Sequence, residues 1–280
     1  VVTASIAMTT YNGESFIAEQ LASFLDQQRL PDELIVCDDG STDTTVDIVQ
    51  AFAQSAPFPV TVVRNASRLG FSRNFENALS RCTSDIVLMS DQDDVWFPDK
   101  IARVIDHMTQ NPDIWVLAHD GLLTNRRLEW NGATKIGQIR SGYGGLGSFA
   151  TGALTAVRRE FLTRALRIPH EVVSYDIWLH RLSGCLPGRR VVIEDRLQSI
   201  RRHDENTSDW IVNSVKPIGR ADILRDQASA PPCLDYGPGI QLIDRLLERL
   251  EVLAHGKTCR SKPPPASSSR NALHWPQGSA

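Results

Sequence analysis

Short apolar runs alternate along the first half of the chain with segments whose apolar residues recur at helical spacing. Ser5 to Thr9 reads as a first strand and Thr10 to Gly13 as a turn. Phe16, Ile17, Leu21, Phe24 and Leu25 then mark one face of a helix that stops before Pro31. Leu34 to Cys37 is a second buried strand ending in Asp38, Asp39, Gly40 and Ser41. Thr42 or Asp43 caps the helix that follows, whose apolar side is Val46, Ile48, Val49 and Phe52. Val60 to Val63 is a third strand, Arg68 to Gly70 a loop, and Phe75, Ala78 and Leu79 belong to a short helix. Ile86 to Met89 is a fourth strand and breaks off into Asp91, Gln92, Asp93 and Asp94. Pro98 suits the start of the next helix, with Ile101, Val104, Ile105 and Met108 on its face.

Strands alternating with helices predict an α/β fold, a Rossmann-like and mainly parallel sheet flanked by helices. Ligands of such sheets bind beyond the carboxyl ends of the strands. Three polar clusters fall there: Thr9 to Asn12, Asp38 to Ser41 and Asp91 to Asp94. Any one of them serves equally well as a turn. Their common edge is what favours a ligand site. Three carboxylates at one strand end repel each other, and hard oxygen donors with room left for water suit Mg²⁺ or Mn²⁺ holding a diphosphate.

The second half is less regular. Ile114 to Ala118, Ala153 to Val157 and Val191 to Ile193 read as strands, and Tyr175 to Leu182 as a helix with Trp178, Leu179 and Leu182 on its apolar side. Residues 124–147 form a polar, glycine-rich stretch that reads as a mobile loop on the substrate side. Gly142, Gly144 and Gly147 within it satisfy G-x-G-x-x-G, but no strand precedes them and one follows, so a dinucleotide site is discounted. Ile240 to Leu253 is amphipathic, with packing against the domain as its default role and membrane-surface attachment as the alternative. The expected organisation is one domain over residues 1–210, a helical extension over 211–255 and a disordered Pro- and Ser-rich tail over 256–280.

Composition narrows the function classes. A formal charge of −3 excludes a broadly basic nucleic-acid-binding surface. The five cysteines are scattered without C-x-x-C spacing, which predicts reduced thiols and a cytoplasmic protein. Cys37 and Cys82 read as small core residues. No stretch is apolar for long enough to span a bilayer, and no signal-peptide pattern is visible.

Ordered motifs add a resemblance. MTTYNG at Met8, DDGSTD at Asp38, RLGFSRNFENAL at Arg68, SDQDDVWFPDK at Ser90, TG at Thr151, YDIWL at Tyr175 and RRHDENTS at Arg201 together resemble the inverting family 2 glycosyltransferases of GT-A fold, and within them bacterial rhamnosyltransferases of surface polysaccharides. The resemblance implies metal-dependent transfer of a sugar from a UDP- or dTDP-linked donor to a glycan or lipid-linked acceptor. It also implies peripheral contact with the inner face of the membrane. It assigns Thr9, Tyr11, Asp39, Arg73 and Asp91 to the nucleotide. Asp91, Asp93 and His203 would hold Mn²⁺ or Mg²⁺, and Arg201 and Arg202 would face the diphosphate. Asp176 would be the catalytic base, with Asp195 the runner-up, expected in a surface turn after the late strand. Tyr175 stands where many relatives have an acidic residue or His, and Arg202 replaces the Trp of processive members. The rival readings are a catalytically silent nucleotide-sugar binding module and a sugar nucleotidyltransferase.

Overall fold

A computed structural model of the chain describes residues 1–141, 145–172, 174–203 and 237–255. Segments 204–236 and 256–280 lie outside the described residues, as do Gly142 and Gly144. The expectations for the 211–236 linker and for a disordered tail fall there.

The strands follow the apolar runs. They are β1 (Ala4–Thr10), β2 (Glu33–Asp38), β3 (Val60–Arg64) and β4 (Ile86–Ser90), connected by α1 (Ile17–Leu25), α2 (Thr45–Ser55) and α3 (Phe71–Arg81). A two-residue β5 (Val95–Trp96) precedes α4 (Lys100–Gln110). The helix begins at Lys100, with Asp99 at the N-cap position, rather than at Pro98. The second half contains β6 (Val116–Thr124), β7 (Trp130–Thr134), α5 (Lys135–Ser141), β8 (Thr155–Arg158), α6 (Arg159–Ala165), α7 (Tyr175–Gly184) and β9 (Arg190–Arg201). A last helix, α8, spans Gly237–His255.

All nine strands form one sheet, ordered β3-β2-β1-β4-β8-β6-β9-β5, with β7 paired to β6. The β1–β4 strands pair in parallel. β8 runs opposite to both of its neighbours, β4 and β6, which returns β6 and its parallel partner β9 to the first direction. The sheet is thus mostly parallel, and the ends of β1, β2, β4, β6 and β9 meet at one edge.

Side-chain alternation sorts each strand between two cores. Val87 and Met89 of β4 pack with Phe75, Leu79, Phe161, Trp178 and Leu182 of α3, α6 and α7. Ile86 and Leu88 face the other way, onto Ile17, Phe24, Ile101, Val104 and Met108 of α1 and α4. The α8 helix docks on the first core through Leu246, and Arg249 donates to the Arg164, Leu166 and Arg167 carbonyls. Packing against the domain is therefore what α8 does here, although Ile243 and Leu247 remain exposed. No described helix is long and apolar enough to cross a membrane.

Two expectations for the second half are corrected. Residues 124–141 are not loop: β6 continues to Thr124, and β7 and α5 follow. Ala133, Ile136 and Ile139 are spaced to pack on Leu123, Phe149, Leu154 and Ile200, which makes a third small core. The late strand runs twelve residues instead of three, because it pairs with β6 along almost its full length. Glu194 and Asp195 consequently sit inside β9 and not in a turn.

Cys37 and Cys82 are buried and free, and burial pushes the Cys37 thiol up to about 11. Neither is poised to react.

His180 on α7 accepts from Arg190 Nε at 2.9 Å and lies 2.9 Å from Thr155 Oγ1. Burial lowers its pKa to about 3, and Arg190 adds to the effect. Between pH 6.5 and about 3 the unfolded chain binds a proton that the folded chain refuses, so this group's contribution to stability falls as pH drops. His119 is shifted in the same direction. His180→Gln should therefore lower Tm at pH 7 yet flatten the decline of Tm between pH 6.5 and 4. Thermal melts across that range check this, and an unchanged slope would remove His180 from the account.

Candidate active site

The loop after β1 is built to fixed shape. Asn12 takes a left-handed φ of 47° and its Oδ1 accepts from Thr42 N at 2.9 Å, while Gly13 N donates to Thr45 Oγ1 at 2.8 Å. Gln92 clamps the loop from the other side: its Oε1 accepts from Tyr11 N at 2.8 Å and its Nε2 donates to Tyr11 O at 3.0 Å. A Cβ on Gly13 would collide with that amide. Gln92, the middle residue of D-Q-D, thus ties β1 to the end of β4.

The adjacent aspartates after β2 divide their work. Asp38 points inward and accepts from Thr10 Oγ1, Gly40 N and Ser41 N, which shapes the turn. Asp39 reaches across to the loop before α3. Its Oδ1 accepts from Leu69 N at 2.7 Å and Asn65 Nδ2 at 2.9 Å, and its Oδ2 from Gly70 N at 2.8 Å. An ionised carboxylate offers about four acceptor positions, so one position on Oδ2 stays open. Tyr11 is exposed, with the Arg68 guanidinium 3.9 Å above its ring. Thr9 is buried at the end of β1. Arg73 lies on the far side of this loop. Its guanidinium is occupied by Glu76 at 2.5 Å and the carbonyls of Ile168 and Pro169 at 2.7 and 3.1 Å.

Beyond β4, the carboxylate oxygens of Asp91, Asp93 and Asp94 lie within 4.8 Å of one another. Asp94 is turned inward: Oδ1 accepts from Arg201 N at 3.0 Å and Oδ2 from Gln198 Nε2 at 2.7 Å. Asp93 Oδ2 faces His203 Nε2 at 2.8 Å. Two ligands at right angles on a hard divalent ion are about 3 Å apart, so Asp93 and His203 already stand at a spacing that a metal could share. Burial first, and then the neighbouring Asp93, Asp94 and Asp176, hold the Asp91 carboxyl well above its ordinary range. Burial and Asp93 raise Asp94 to about 7. Carboxylates crowded at this cost fit a divalent cation; Asp91, Asp93 and Asp94 form the cluster, and His203 adjoins it through Asp93.

Arg201 is almost fully buried and spends its guanidinium on protein, donating to Asp93 O at 2.8 Å, Arg126 O at 2.6 Å and the Glu19 carboxylate. It braces the corner. Arg202 is also largely buried, with Asp94, Asp93 and Asp91 all acting on its charge. It is the arginine placed toward the carboxylates.

Asp176 sits in the first turn of α7, on the same side as Asp91, whose ionisation its charge affects. Its Oδ1 accepts from Ser174 Oγ and from Ile177 N at 2.7 Å, and Oδ2 accepts from Gly152 N at 3.2 Å. Burial raises its pKa against these bonds. Tyr175, stacked on Phe75 with centroids 4.2 Å apart, fills the space beside Gly152, where an added Cβ would fall on its hydroxyl. That contact is why glycine follows Thr151. Asp195 keeps other company: it pairs with Arg103 and His107 of α4.

Sequence reasoning counted Asp94 among the strand-end carboxylates without its inward direction, and gave no task to Gln198 and Lys100, which lie buried with it behind the corner, or to Lys135. The Lys135 amine is buried, lies within electrostatic reach of Arg202 and Asp176, and is lowered to about 7 by desolvation. Two of these stood inside the quoted stretch Asp91 to Lys100, and their inward direction was the missing signal.

The family model described as Glycosyl transferase family 2 matches residues 5–164. Among curated relatives, the dTDP-rhamnosyl transferase RfbG of Shigella flexneri is 35% identical over 108 residues, 37% of this chain and 37% of that one. The abequosyltransferase RfbV of Salmonella typhimurium is 28% identical over 114 residues, 40% of this chain and 34% of that one. The chain thus spans little more than a third of the length of these two relatives. Among solved structures, S. aureus TarS 1–349 in complex with UDP aligns with a TM-score of 0.58 at 20% identity, over 71% of this chain and 60% of that one. The mannosyltransferase PcManGT from Pyrobaculum calidifontis, in complex with GDP-Man and Mn²⁺, aligns with a TM-score of 0.58 at 18% identity, over 92% of this chain and 76% of that one. At such identities the likeness is one of fold, and the fold is of GT-A type.

The crowding at Asp91 makes a testable trade-off. Asp91→Asn removes one of the repelling charges and should raise Tm without metal by a few degrees, about 1 kcal/mol for a domain of this size. The same variant should lose the rise in Tm that Mn²⁺ gives the wild-type chain. Thermal melts with and without Mn²⁺ decide it; a wild-type response to Mn²⁺ in the variant would exclude Asp91 as a ligand.

Proposed function

The chain belongs to glycosyl transferase family 2, and from that premise we propose that it is a metal-dependent inverting glycosyltransferase. It would move a sugar from a UDP- or dTDP-linked donor to a glycan or lipid-linked acceptor in surface polysaccharide synthesis. The observation that carries the reading is the meeting of three chemistries at one sheet edge. Asp39 keeps an acceptor position open, Asp93 and His203 converge within 2.8 Å, and Asp176 lies within electrostatic reach of Asp91.

Each residue then has a task set by its surroundings. A carboxylate accepts and never donates, so Asp39 selects a base with an imide N–H, as uracil and thymine have. Tyr11 offers its ring face to that base, with Arg68 moving aside or closing over it. Asp91, Asp93 and His203 would hold Mn²⁺ or Mg²⁺. When bound, that ion neutralises charge on the leaving diphosphate. Arg202 supplies further positive charge to the same oxygens from a buried, low-dielectric position, where it counts for more than in water.

Asp176 is the base. Its three hydrogen bonds fix its direction, and burial raises its proton affinity. Both help a general base that must take the acceptor's hydroxyl proton as that oxygen attacks the anomeric carbon from the face opposite the diphosphate. The lean toward a dTDP-sugar comes from the RfbG relative.

Asp176→Asn should reduce turnover by about 10² to 10⁴-fold, the usual worth of a general base. Affinity for the nucleotide should stay within about threefold. Transfer assays and calorimetry measure the two separately, and lost binding would take Asp176 out of the base role. Because the base must be ionised, and its pKa is raised, the acid limb of kcat/KM should lie above the ordinary aspartate value of about 3.9. Thermal shift with UDP, dTDP and GDP in the presence of Mn²⁺ identifies the donor class by differential stabilisation. No stabilisation by any of the three, with no sugar transfer across a donor panel, would overturn the function itself.

A further inference from the structure

Lys100 opens α4 but turns its amine into the interior, where only 1% of the residue is exposed. Its Nζ lies 3.6 Å from the centre of the Trp96 ring. It donates to Gln198 Oε1 and, at 3.2 Å, to the carbonyl of Ala153. Both partners lead to the site. Gln198 passes the interaction on, its Nε2 donating to Asp94 Oδ2 at 2.7 Å, and Asp94 Oδ1 takes the backbone N–H of Arg201 at 3.0 Å. Ala153 follows Gly152, whose N–H holds Asp176 Oδ2 at 3.2 Å.

We infer that Lys100 is a positioning residue that couples the acidic corner to the seat of the base, through Gln198 and Asp94 on one side and the Gly152–Ala153 peptide on the other. The inference rests on the reading of Asp91 and Asp93 as metal ligands and Asp176 as base. A buried amine needs such a reason. Taking it out of water is costly, and a methionine would fill the same volume without that cost. Only a group with several donors can bond a side chain of β9 and the segment before β8 at once. Gln198 has no freedom in this arrangement, because its oxygen must face Lys100 and its amide nitrogen Asp94. The chain of bonds therefore fixes how Asp94 leans on Asp93 and Arg201, and how Gly152 presents its N–H to Asp176.

Two variants of the full chain test the coupling. Lys100→Met keeps the volume and removes every donor, whereas Gln198→Leu breaks the link on the corner side alone. The Kd for Mn²⁺, measured by electron paramagnetic resonance of the free ion, should rise about 10- to 100-fold in both, the usual effect of losing an outer partner of a metal site. In the wild-type chain, saturating Mn²⁺ should slow hydrogen exchange at the Gly152 amide. In both variants, saturating Mn²⁺ should leave that amide unaffected, a result that mere loss of packing would not produce. Exchange at Gly152 without metal should be faster than wild type in Lys100→Met only. A Mn²⁺ Kd within threefold of wild type in Lys100→Met, or full retention of the Mn²⁺ effect at Gly152, overturns the inference. If Lys100→Met does not fold, Gln198→Leu carries the decision by the same two readouts. A wild-type chain that binds no Mn²⁺ sinks instead the metal reading on which the inference rests.

Discussion

Repulsion among carboxylates is the constraint around which this protein is arranged. Asp91, Asp93 and Asp94 follow one strand within four residues, and Asp176 arrives from α7 close enough to act on Asp91. Such a group cannot be buried unrelieved. The chain relieves it in part with the Arg202 charge, the His203 contact to Asp93 and the Arg201 backbone N–H. It leaves Asp91 with a carboxyl still far above its ordinary range. That residual cost is of the kind a bound divalent cation would lower.

The sheet makes this arrangement possible. Because β1, β2, β4, β6 and β9 point the same way, their polar ends meet without any loop having to cross the domain. The inserted antiparallel β8 has a separate consequence. It starts at Thr155, just beyond Gly152, so the segment that anchors Asp176 enters the sheet between β4 and β6, beside the acidic corner. Two cores hold the sheet from either face, and Trp178 in one and Trp96 in the other pin α7 and the segment after β4.

The first hundred residues were legible because both periodicities are clean there. β1, β2 and β4 are buried on both faces, β2 and β4 carry uninterrupted apolar runs and β1 one broken by Ser5, and α1 and α4 show helical stripes. The second half was harder to read for a physical reason. β7 and α5 bury small or polar residues (Ala133, Thr134, Lys135, Gln138) that imitate loop composition, and β9 is half exposed along its first stretch. At the site, residue type pointed to carboxylates at the ends of β2 and β4, and the structure has Asp38, Asp39, Asp91, Asp93 and Asp94 there. Residue type could not tell the outward member of each acidic pair from the inward one, nor show that Arg73 and Arg201 are engaged by protein acceptors.

That distinction between neighbours follows from chain geometry. Consecutive side chains of extended backbone point to opposite sides, and the neighbouring aspartates at the end of β2 and before β5 take different partners. Asp38 and Asp94 are held from within: by Thr10, Gly40 and Ser41 for one, by Gln198 and Arg201 for the other. Asp39 and Asp93 reach to other segments, Asp39 to the loop before α3 and Asp93 to His203. Asp38 shapes the turn that carries Asp39, so the two neighbours do different work. Exchange of Asp94 for leucine would leave Asp91 and Asp93 chemically intact but would remove the acceptor that orients Gln198, and with it the bonded route from Lys100 to the corner.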